Sequence, residues 1–175
     1  MMTQPRYTML AAMMLAAEAY AQDNTDAPEP RRRIVASIPD RKLALIEDDQ
    51  VIKVYDIAVG APKSPSPSGA FEIANRIEHP TWWGPRETVA PGKANPLGTR
   101  WMGLSKKGYG IHGTNNPRSI GRNASHGCIR MRNAEVEELF ARVKVGDEVR
   151  LIGERTEETA VLFGSAEPAA AVAAE

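Results

Sequence analysis

One stretch of this sequence, residues 109–133, concentrates the side chains that could carry out a reaction. It contains Cys128, the only cysteine in the chain, together with His112 and His126, two of the three histidines. A thiol that has no disulfide partner and lies near histidines is typical of a cysteine nucleophile with its general base. An inert, buried cysteine is the alternative, but Ser125, His126, Gly127 and Arg130, which flank this one, are not typical of a core. The stretch therefore indicates nucleophilic catalysis by a thiolate.

Two histidines compete for the role of base. His126 is only two residues from Cys128, whereas His112 ends a predicted strand sixteen residues upstream. Because pairing between strands can bring a strand end opposite a distant residue, we predict His112 as the general base and acid and His126 as part of the cleft wall. A purely structural histidine is the alternative for each. The stretch contains no Asp or Glu, so a main-chain carbonyl or the hydroxyl of Thr114 or Ser125 would have to orient His112.

The neighbours of Cys128 suggest how a substrate could be held. Gly127 allows a sharp turn, and the N–H groups of Gly127 and Cys128 are candidate donors to the oxyanion that forms when a thiolate attacks a carbonyl. Arg130 lies on the same side of an extended segment as Cys128, where it could bind a carboxylate or form a structural ion pair. Asn115 lies in a predicted turn and could offer its amide to a peptide. The predicted substrate-binding residues are Gly113, Asn115, Ser125, His126 and Arg130.

A metal site is the main competing interpretation of these residues. His79, His112, His126 and Cys128 all have atoms that bind zinc, but no Cys-x-x-Cys or short His–His spacing accompanies them. The sequence also lacks a Gly-rich phosphate-binding loop. We therefore expect catalysis without a metal or an organic cofactor.

Composition limits the partners and the compartment. The 175 residues suit one domain, and 22 basic residues balance 22 acidic ones, which disfavours nucleic acid as a partner. No apolar run is long enough for a membrane span. Residues 1–21 have the form of a signal peptide, with Arg6, an apolar segment at residues 9–17 and small residues at Ala19 and Ala21. We expect export to the periplasm or cell wall, with an amphipathic N-terminal helix or an uncleaved anchor as alternatives.

Short runs rich in β-branched and aromatic residues predict a mainly β domain over residues 34–153. Candidate strands lie at residues 34–38, 43–47, 51–59, 69–73, 101–104, 109–112 and 148–152. Residues 79–97 form a long irregular segment around Trp82 and Trp83. We interpret this segment either as a substrate lid or as a loop that the two tryptophans attach to the core.

The C-terminal part of the domain contains one predicted helix. Its apolar residues are Val136, Leu139, Phe140 and Val143, which recur at helical spacing. Asn133 is predicted to be its N-cap. Outside the domain, residues 22–33 are a predicted linker, and the Ala- and Glu-rich residues 154–175 a predicted flexible tail.

Several segments together match a known pattern. They are Ile-His-Gly-Thr-Asn at residues 111–115, Ser-His-Gly-Cys-Ile-Arg-Met at 125–131, Ser-Pro-Ser-Gly-Ala-Phe at 66–71, Asn-Pro-Leu-Gly at 95–98 and Arg-Trp-Met at 100–102. These segments resemble those of the L,D-transpeptidases of bacterial peptidoglycan, the family with a YkuD-type catalytic domain. Ser66 stands where that family has Thr, and the resemblance extends over residues 34–152.

The resemblance implies a β-sandwich-like catalytic domain with one short helix after the catalytic cysteine and a long lid loop. It also implies Cys128 as the nucleophile, His112 as the base and the backbone around Gly127 as the oxyanion site. The implied activity is cysteine-dependent acyl transfer from a peptidoglycan stem peptide to an amine, forming a 3→3 cross-link or attaching an outer-membrane lipoprotein. The alternatives are an L,D-carboxypeptidase or endopeptidase that hydrolyses stem or lipoprotein–peptidoglycan bonds, and a non-catalytic peptidoglycan-binding module. We expect a monomer.

Overall fold

The computed structural model describes residues 29–164, and an eight-stranded sheet is its framework. The strands in chain order are β1 (Arg32–Ser37), β2 (Lys42–Glu47), β3 (Gln50–Asp56), β4 (Val59–Gly60), β5 (Gly69–Glu78), β6 (Trp82–Trp83), β7 (Thr88–Val89), β8 (Arg100–Leu104), β9 (Gly110–His112), β10 (Asn123–Ser125), β11 (Ile129–Arg130) and β12 (Glu148–Ile152). The helices are α1 (Asn133–Arg142), α2 (Glu157–Phe163) and a short 3-10 turn at Pro117–Ser119. The large sheet has the order β11-β9-β8-β5-β12-β1-β2-β3, while β4 pairs with β10 and β6 pairs with β7.

Alternating side chains give the central strands two buried faces. On β1, Ile34 and Ala36 point into the main core, whereas Val35 belongs to a small cluster on the opposite face. On β2, Leu43 and Leu45 point inward and Ala44 points outward in the same way. This division follows from the two-residue period of a strand. A strand buried on both faces requires a cover on each side, which the two helices provide.

The two ends of the large sheet meet around the core. Ala58, just after β3, donates its N–H to the carbonyl of Arg130 on β11 and accepts the N–H of Arg130 in return, both at 2.9 Å. The sheet therefore curls until its first and last strands are joined by one bridge. The predicted class, a mainly β, sandwich-like domain, is confirmed.

Helix α1 is also confirmed, but its first turn differs from the prediction. Its apolar face (Val136, Leu139, Phe140 and Val143) packs into the main core. Asn133 is the first helical residue rather than the N-cap, and Arg132 occupies the cap position without a capping hydrogen bond from its side chain. The Asn133 Oδ1 atom instead accepts the N–H of Thr114 at 3.1 Å. The prediction was wrong because this side chain has a partner on a loop that is distant in the sequence.

The prediction of a flexible tail from residue 154 was wrong for residues 157–163, which form α2. Thr156 and Thr159 form a reciprocal capping box at its start. Leu162 and Phe163 then pack on the outer cluster of β1 and β2, and this burial gives a short helix the tertiary support it needs. The remaining tail, residues 165–175, lies outside the described residues.

The first strand of the domain begins slightly before residue 34, the predicted start. Strand β1 starts at Arg32, whose Nε lies 3.2 Å from Glu47 Oε1, and Arg33 pairs with Asp49 at 3.1 Å. Residues 32 and 33, which were predicted to belong to the linker, are therefore held in the sheet by these ion pairs and by backbone hydrogen bonds. The predicted signal peptide and residues 22–28 lie outside the described residues. Within residues 29–164, no helix is both long and apolar enough to cross a membrane.

Candidate active site

Parallel pairing of two short strands brings the two ends of the reactive stretch together. In the register of β9 and β11, Ile111 pairs with Ile129 and His112 pairs with Arg130. The N–H of Met131 extends this ladder by donating to the carbonyl of His112 at 2.9 Å. Cys128, the residue directly before β11, therefore lies near the end of β9. The strand pairing that the sequence suggested for the base is present.

The backbone turn before Cys128 is held by a serine. The Oγ atom of Ser125 accepts the N–H of Gly127 at 3.0 Å and donates to the carbonyl of Cys128 at 2.6 Å. Gly127 has a φ of +113°, and a Cβ there would lie 2.7 Å from the ring of Tyr109. Both facts require glycine, because other residues are strained at this φ and the ring leaves no room.

This turn changes the predicted oxyanion site. The N–H of Gly127 already donates to Ser125, so Gly127 shapes the turn and its predicted role as an oxyanion donor is not supported. The N–H of Cys128 has no hydrogen-bond acceptor within residues 29–164. It is therefore the available donor at the place where negative charge would develop during attack by the thiolate.

His112 is almost completely buried and is oriented by a main-chain carbonyl. Its Nδ1 lies 2.6 Å from the carbonyl oxygen of Gly113, and since a carbonyl only accepts, Nδ1 must carry the proton and Nε2 the lone pair. The hydroxyls that were the alternative partners are used elsewhere: Ser125 braces the turn, and Thr114 Oγ1 accepts the N–H of Asn116 at 3.0 Å. A neutral ring in this tautomer can accept a proton at Nε2.

Burial keeps both reactive groups neutral at rest. Loss of water around His112 lowers its pKa to about 4, against the opposing effect of the Gly113 carbonyl. Burial likewise raises the pKa of the Cys128 thiol above its ordinary value, although the backbone of Gly110 and the charge of Arg130 oppose this. The Sγ atom donates weakly to the carbonyl of Gly108 at 3.7 Å. A reactive thiolate therefore requires proton transfer to the base rather than a pre-formed ion pair.

The segment predicted as a lid is a hairpin fastened by one buried side chain. Strands β6 and β7 pair Trp82 with Val89. Asn95, which is fully buried, donates to the carbonyls of Pro80 at 2.8 Å and Val89 at 3.0 Å, and its Oδ1 accepts the N–H of Leu97 at 2.8 Å. Trp83 does not attach this loop to the core, since its side chain is 78% exposed. Asn95 instead ties the beginning, the hairpin and the end of this segment to one another.

A cleft of about 380 Å³ lies between the lid and the reactive stretch. The lid side consists of Trp82, Glu87, Val89, Ala94, Pro96 and Leu97, and the opposite side of His112, Asn115, Ser125, His126, Cys128 and Arg130. Most of the predicted site residues therefore face one space. Gly113 and Gly127 do not line it and act through their backbones. A cleft of this size, with mainly apolar residues on the lid side and polar residues opposite, suits an extended peptide segment.

Arg130 lines the cleft without a counterion. Among the described residues, no carboxylate lies within 4.0 Å of its guanidinium, and its Nε is buried without a hydrogen-bond partner. The alternative of a structural ion pair is therefore not supported by this part of the chain. A guanidinium that lines a cleft without a counterion favours an incoming anion.

The family model of the YkuD-type L,D-transpeptidase catalytic domain matches residues 31–151. This chain belongs to that family. A Bacillus licheniformis protein described as L,D-transpeptidase YkuD is 44% identical over 119 residues, which cover 68% of this chain and 64% of that protein. L,D-transpeptidase ErfK/SrfK of Escherichia coli is 29% identical over 151 residues, covering 77% of this chain and 48% of that protein. The chain thus spans less than two thirds of the length of these relatives.

Solved structures of L,D-transpeptidases have the same fold. A cysteine-to-serine mutant of the Enterococcus faecium L,D-transpeptidase superposes with a TM-score of 0.61 at 25% identity, over 71% of this chain and 50% of that one. An L,D-transpeptidase from Mycobacterium smegmatis gives a TM-score of 0.60 at 22% identity, over 70% of this chain and 58% of that one. The second likeness is one of fold alone.

Two residues of this L,D-transpeptidase domain were not found by inspection of the sequence. The ring of Trp101 stacks on His112, with centroids 5.7 Å apart, and its Nε1 donates to Asn75 at 3.1 Å. Hairpin pairing of the predicted strands 101–104 and 109–112 would have placed Trp101 opposite His112. Glu87 has no such sequence signal, because only the hairpin fold of the lid directs it into the cleft.

The metal-binding alternative gains nothing from this geometry. Within residues 29–164, no three His, Cys, Asp or Glu side chains are arranged so that they could hold a metal ion. His79, His112, His126 and Cys128 all belong to this part of the chain.

Proposed function

We propose that this domain transfers acyl groups of peptidoglycan stem peptides through a thioester on Cys128. The observation that carries the proposal is the β9–β11 pairing, which places Cys128 and a neutral, oriented His112 at one cleft. Membership of the L,D-transpeptidase family supports the substrate class. A non-catalytic binding module would have no use for this arrangement of thiol and base.

The first half-reaction forms the acyl-enzyme. Nε2 of His112 takes the thiol proton as Sγ of Cys128 attacks the carbonyl of the diaminoacyl residue in a tetrapeptide stem. The N–H of Cys128 donates to the oxyanion. When the tetrahedral intermediate collapses, the bond to the terminal D-alanine breaks, and its amine leaves with the proton held by His112.

The second half-reaction transfers the acyl group. An amine attacks the thioester, His112 removes a proton from that amine, and the thiol of Cys128 is restored as the new amide forms. The amine belongs to a neighbouring stem, which gives a cross-link, or to a lysine of an outer-membrane lipoprotein. If water attacks instead, the same site is a carboxypeptidase.

Opposite charges on the two walls support an amine acceptor. Arg130, on the wall of Cys128, suits a carboxylate of the donor stem. Glu87, on the lid, has no cationic partner within 4.0 Å among the described residues and is the only carboxylate that lines the cleft. An ammonium group is attracted to that wall, whereas water gains little from it.

The substrate also bears on the location of the protein. Peptidoglycan lies outside the cytoplasmic membrane, and residues 1–21 have the pattern of an export signal. We propose an exported monomer that acts in the periplasm or cell wall.

Two measurements on the full-length protein test this function. Incubation with a stem tetrapeptide or a carbapenem should give a mass increase on Cys128 that is lost in Cys128→Ala, and an adduct that persists in this variant would refute the assignment. Digestion of sacculi after incubation should then reveal new cross-links. Released stem peptides without cross-links would identify a hydrolase instead.

A further inference from the structure

The peptide group between Gly113 and Thr114 lies between His112 and helix α1. Its carbonyl oxygen is 2.6 Å from Nδ1 of His112, and its N–H donates to Oδ1 of Asn133 at 3.1 Å. The described residues contain no cis peptide bond, so these two groups point in opposite directions from one rigid plane. The orientation that Asn133 imposes on the N–H is therefore transmitted directly to the oxygen that orients His112.

The surroundings of Asn133 leave its side-chain oxygen little freedom. A Cβ on Gly98 or on Gly113 would lie 2.2 Å from Oδ1 of Asn133. Two glycines from different loops therefore lie close to this oxygen, and a larger side chain at either position would displace it. The helix and both loops converge on the single acceptor that holds the Gly113–Thr114 peptide.

Asn133 is also close to the nucleophile along the chain. Asn133 follows Cys128 by five residues, and the N–H of Met131 between them donates to the carbonyl of His112 at 2.9 Å. One short segment therefore carries the nucleophile, pairs with the strand of the base and supplies the residue that fixes the orienting peptide.

We propose that Asn133 is a positioning residue for the base, acting through the Gly113–Thr114 peptide to keep His112 in the tautomer with its proton on Nδ1. The inference rests on the proposed function, since it assigns a role in the same Cys128–His112 chemistry. The Gly113 carbonyl takes the place that a carboxylate occupies beside other catalytic histidines, and the neutral Asn133 amide holds the peptide that carries this carbonyl. Because the amide is neutral, it orients the ring without adding a negative charge that would favour the imidazolium form.

A second effect follows from the hydrogen-bond chain. Donation of the Thr114 N–H to Asn133 polarises the peptide, which makes the Gly113 carbonyl a stronger acceptor for His112. Loss of the Asn133 oxygen should thus weaken the hydrogen bond that the Gly113 carbonyl accepts from His112, and should also make the orientation of the His112 ring less defined. A merely structural role for Asn133 at the start of α1 would lower stability without either consequence.

The first test compares Asn133→Ala with the wild type as full-length proteins. Acylation of Cys128 by a carbapenem, followed by mass spectrometry, should slow by about tenfold to a hundredfold at saturation, because the base is misdirected while binding is retained. The concentration giving half-maximal rate should stay within about twofold. Nitrogen chemical shifts of His112 in NMR spectra should change from a single tautomer to a mixture.

The second test uses Asn133→Asp, which keeps an oxygen acceptor for Thr114. It should restore the acylation rate at neutral pH. Its added negative charge should also favour the protonated form of His112, which should shift the acid limb of the pH–rate profile to higher pH by about one unit. This profile remains informative if Asn133→Ala does not fold. Glu137→Ala, an exposed position in the same helix, is the matched control and should change neither rate nor tautomer.

The outcomes separate this inference from the proposed function. If wild-type protein is not acylated, the proposed function fails. If wild type and folded Asn133→Ala are acylated at the same rate with the same His112 tautomer, only the role of Asn133 is overturned. A folded Asn133→Asp protein that stays as slow as the alanine variant, or whose acid limb does not move, would equally count against it.

Discussion

With the proposed function, acid should slow the acylation of Cys128 only at an unusually low pH for a histidine base. Burial lowers the pKa of His112 to about 4, so at pH 5.5 about 97% of the base is neutral, against about 9% for a histidine with an ordinary pKa of about 6.5. The acylation rate at pH 5.5 should therefore be about tenfold higher than an exposed base would allow. Carbapenem acylation of Cys128, measured by stopped flow between about pH 4.5 and 8, gives the profile.

His112→Ala should abolish this rate, whereas His126→Ala should leave the position of the acid limb unchanged. An acid limb centred near the ordinary value of about 6.5 in the wild type would show that His112 is hydrated during catalysis or is not the base. Loss of acylation in His126→Ala but not in His112→Ala would exchange the roles of the two histidines.

The same pKa makes stability depend on pH. The folded-state pKa of about 4 is below the ordinary value of 6.5, so the unfolded chain binds the additional proton as pH falls, and stability is lost between these two values. From pH 7 to pH 5 this group alone should remove about 2 kcal/mol from the free energy of unfolding. Urea titrations at both pH values, compared with His112→Gln, isolate the effect. Equal losses in both proteins would refute a buried neutral ring.

Three further predictions concern the lid and the second helix. Glu87→Gln should lower the ratio of transfer to hydrolysis by about threefold to tenfold at low salt and leave the acylation rate unchanged. Glu154→Gln makes the same charge change at an exposed position away from the cleft and should not alter this ratio. If Glu87→Gln also leaves the ratio constant, Glu87 does not take part in acceptor binding. Trp82→Ala should raise the half-saturating concentration of a stem tetrapeptide because its ring lines the cleft, and Trp83→Ala should not; equal effects would contradict the orientation of the hairpin. Phe163→Ala should lower the free energy of unfolding by about 1 to 2 kcal/mol without slowing acylation, and an unchanged midpoint in urea would mean that α2 does not support the sheet.

Local pattern was sufficient for the class of the fold, and it singled out Cys128 and His112, which line one cleft in the structure. The residues from Ser125 to Arg130 carry their chemistry in their types and order, and the strand ending at His112 contains the aromatic Tyr109 and the β-branched Ile111. The helical period likewise assigned the core face of α1. These features can be predicted from the sequence because the strand and helix periods depend only on residues that are close together along the chain.

Tertiary structure alone decided which groups contact the reactive pair. Asn133 could be interpreted as a helix cap from its neighbours, yet its oxygen holds a peptide nineteen residues upstream. Gly127 was expected to donate to an oxyanion, but the hydroxyl of Ser125 already occupies its N–H. Asn95 and α2 were likewise hidden, since their partners lie on other strands and loops. Hydrogen bonds and packing across distant segments leave no periodic trace in the sequence, and they exist only once the sheet has curled and β9 has paired with β11.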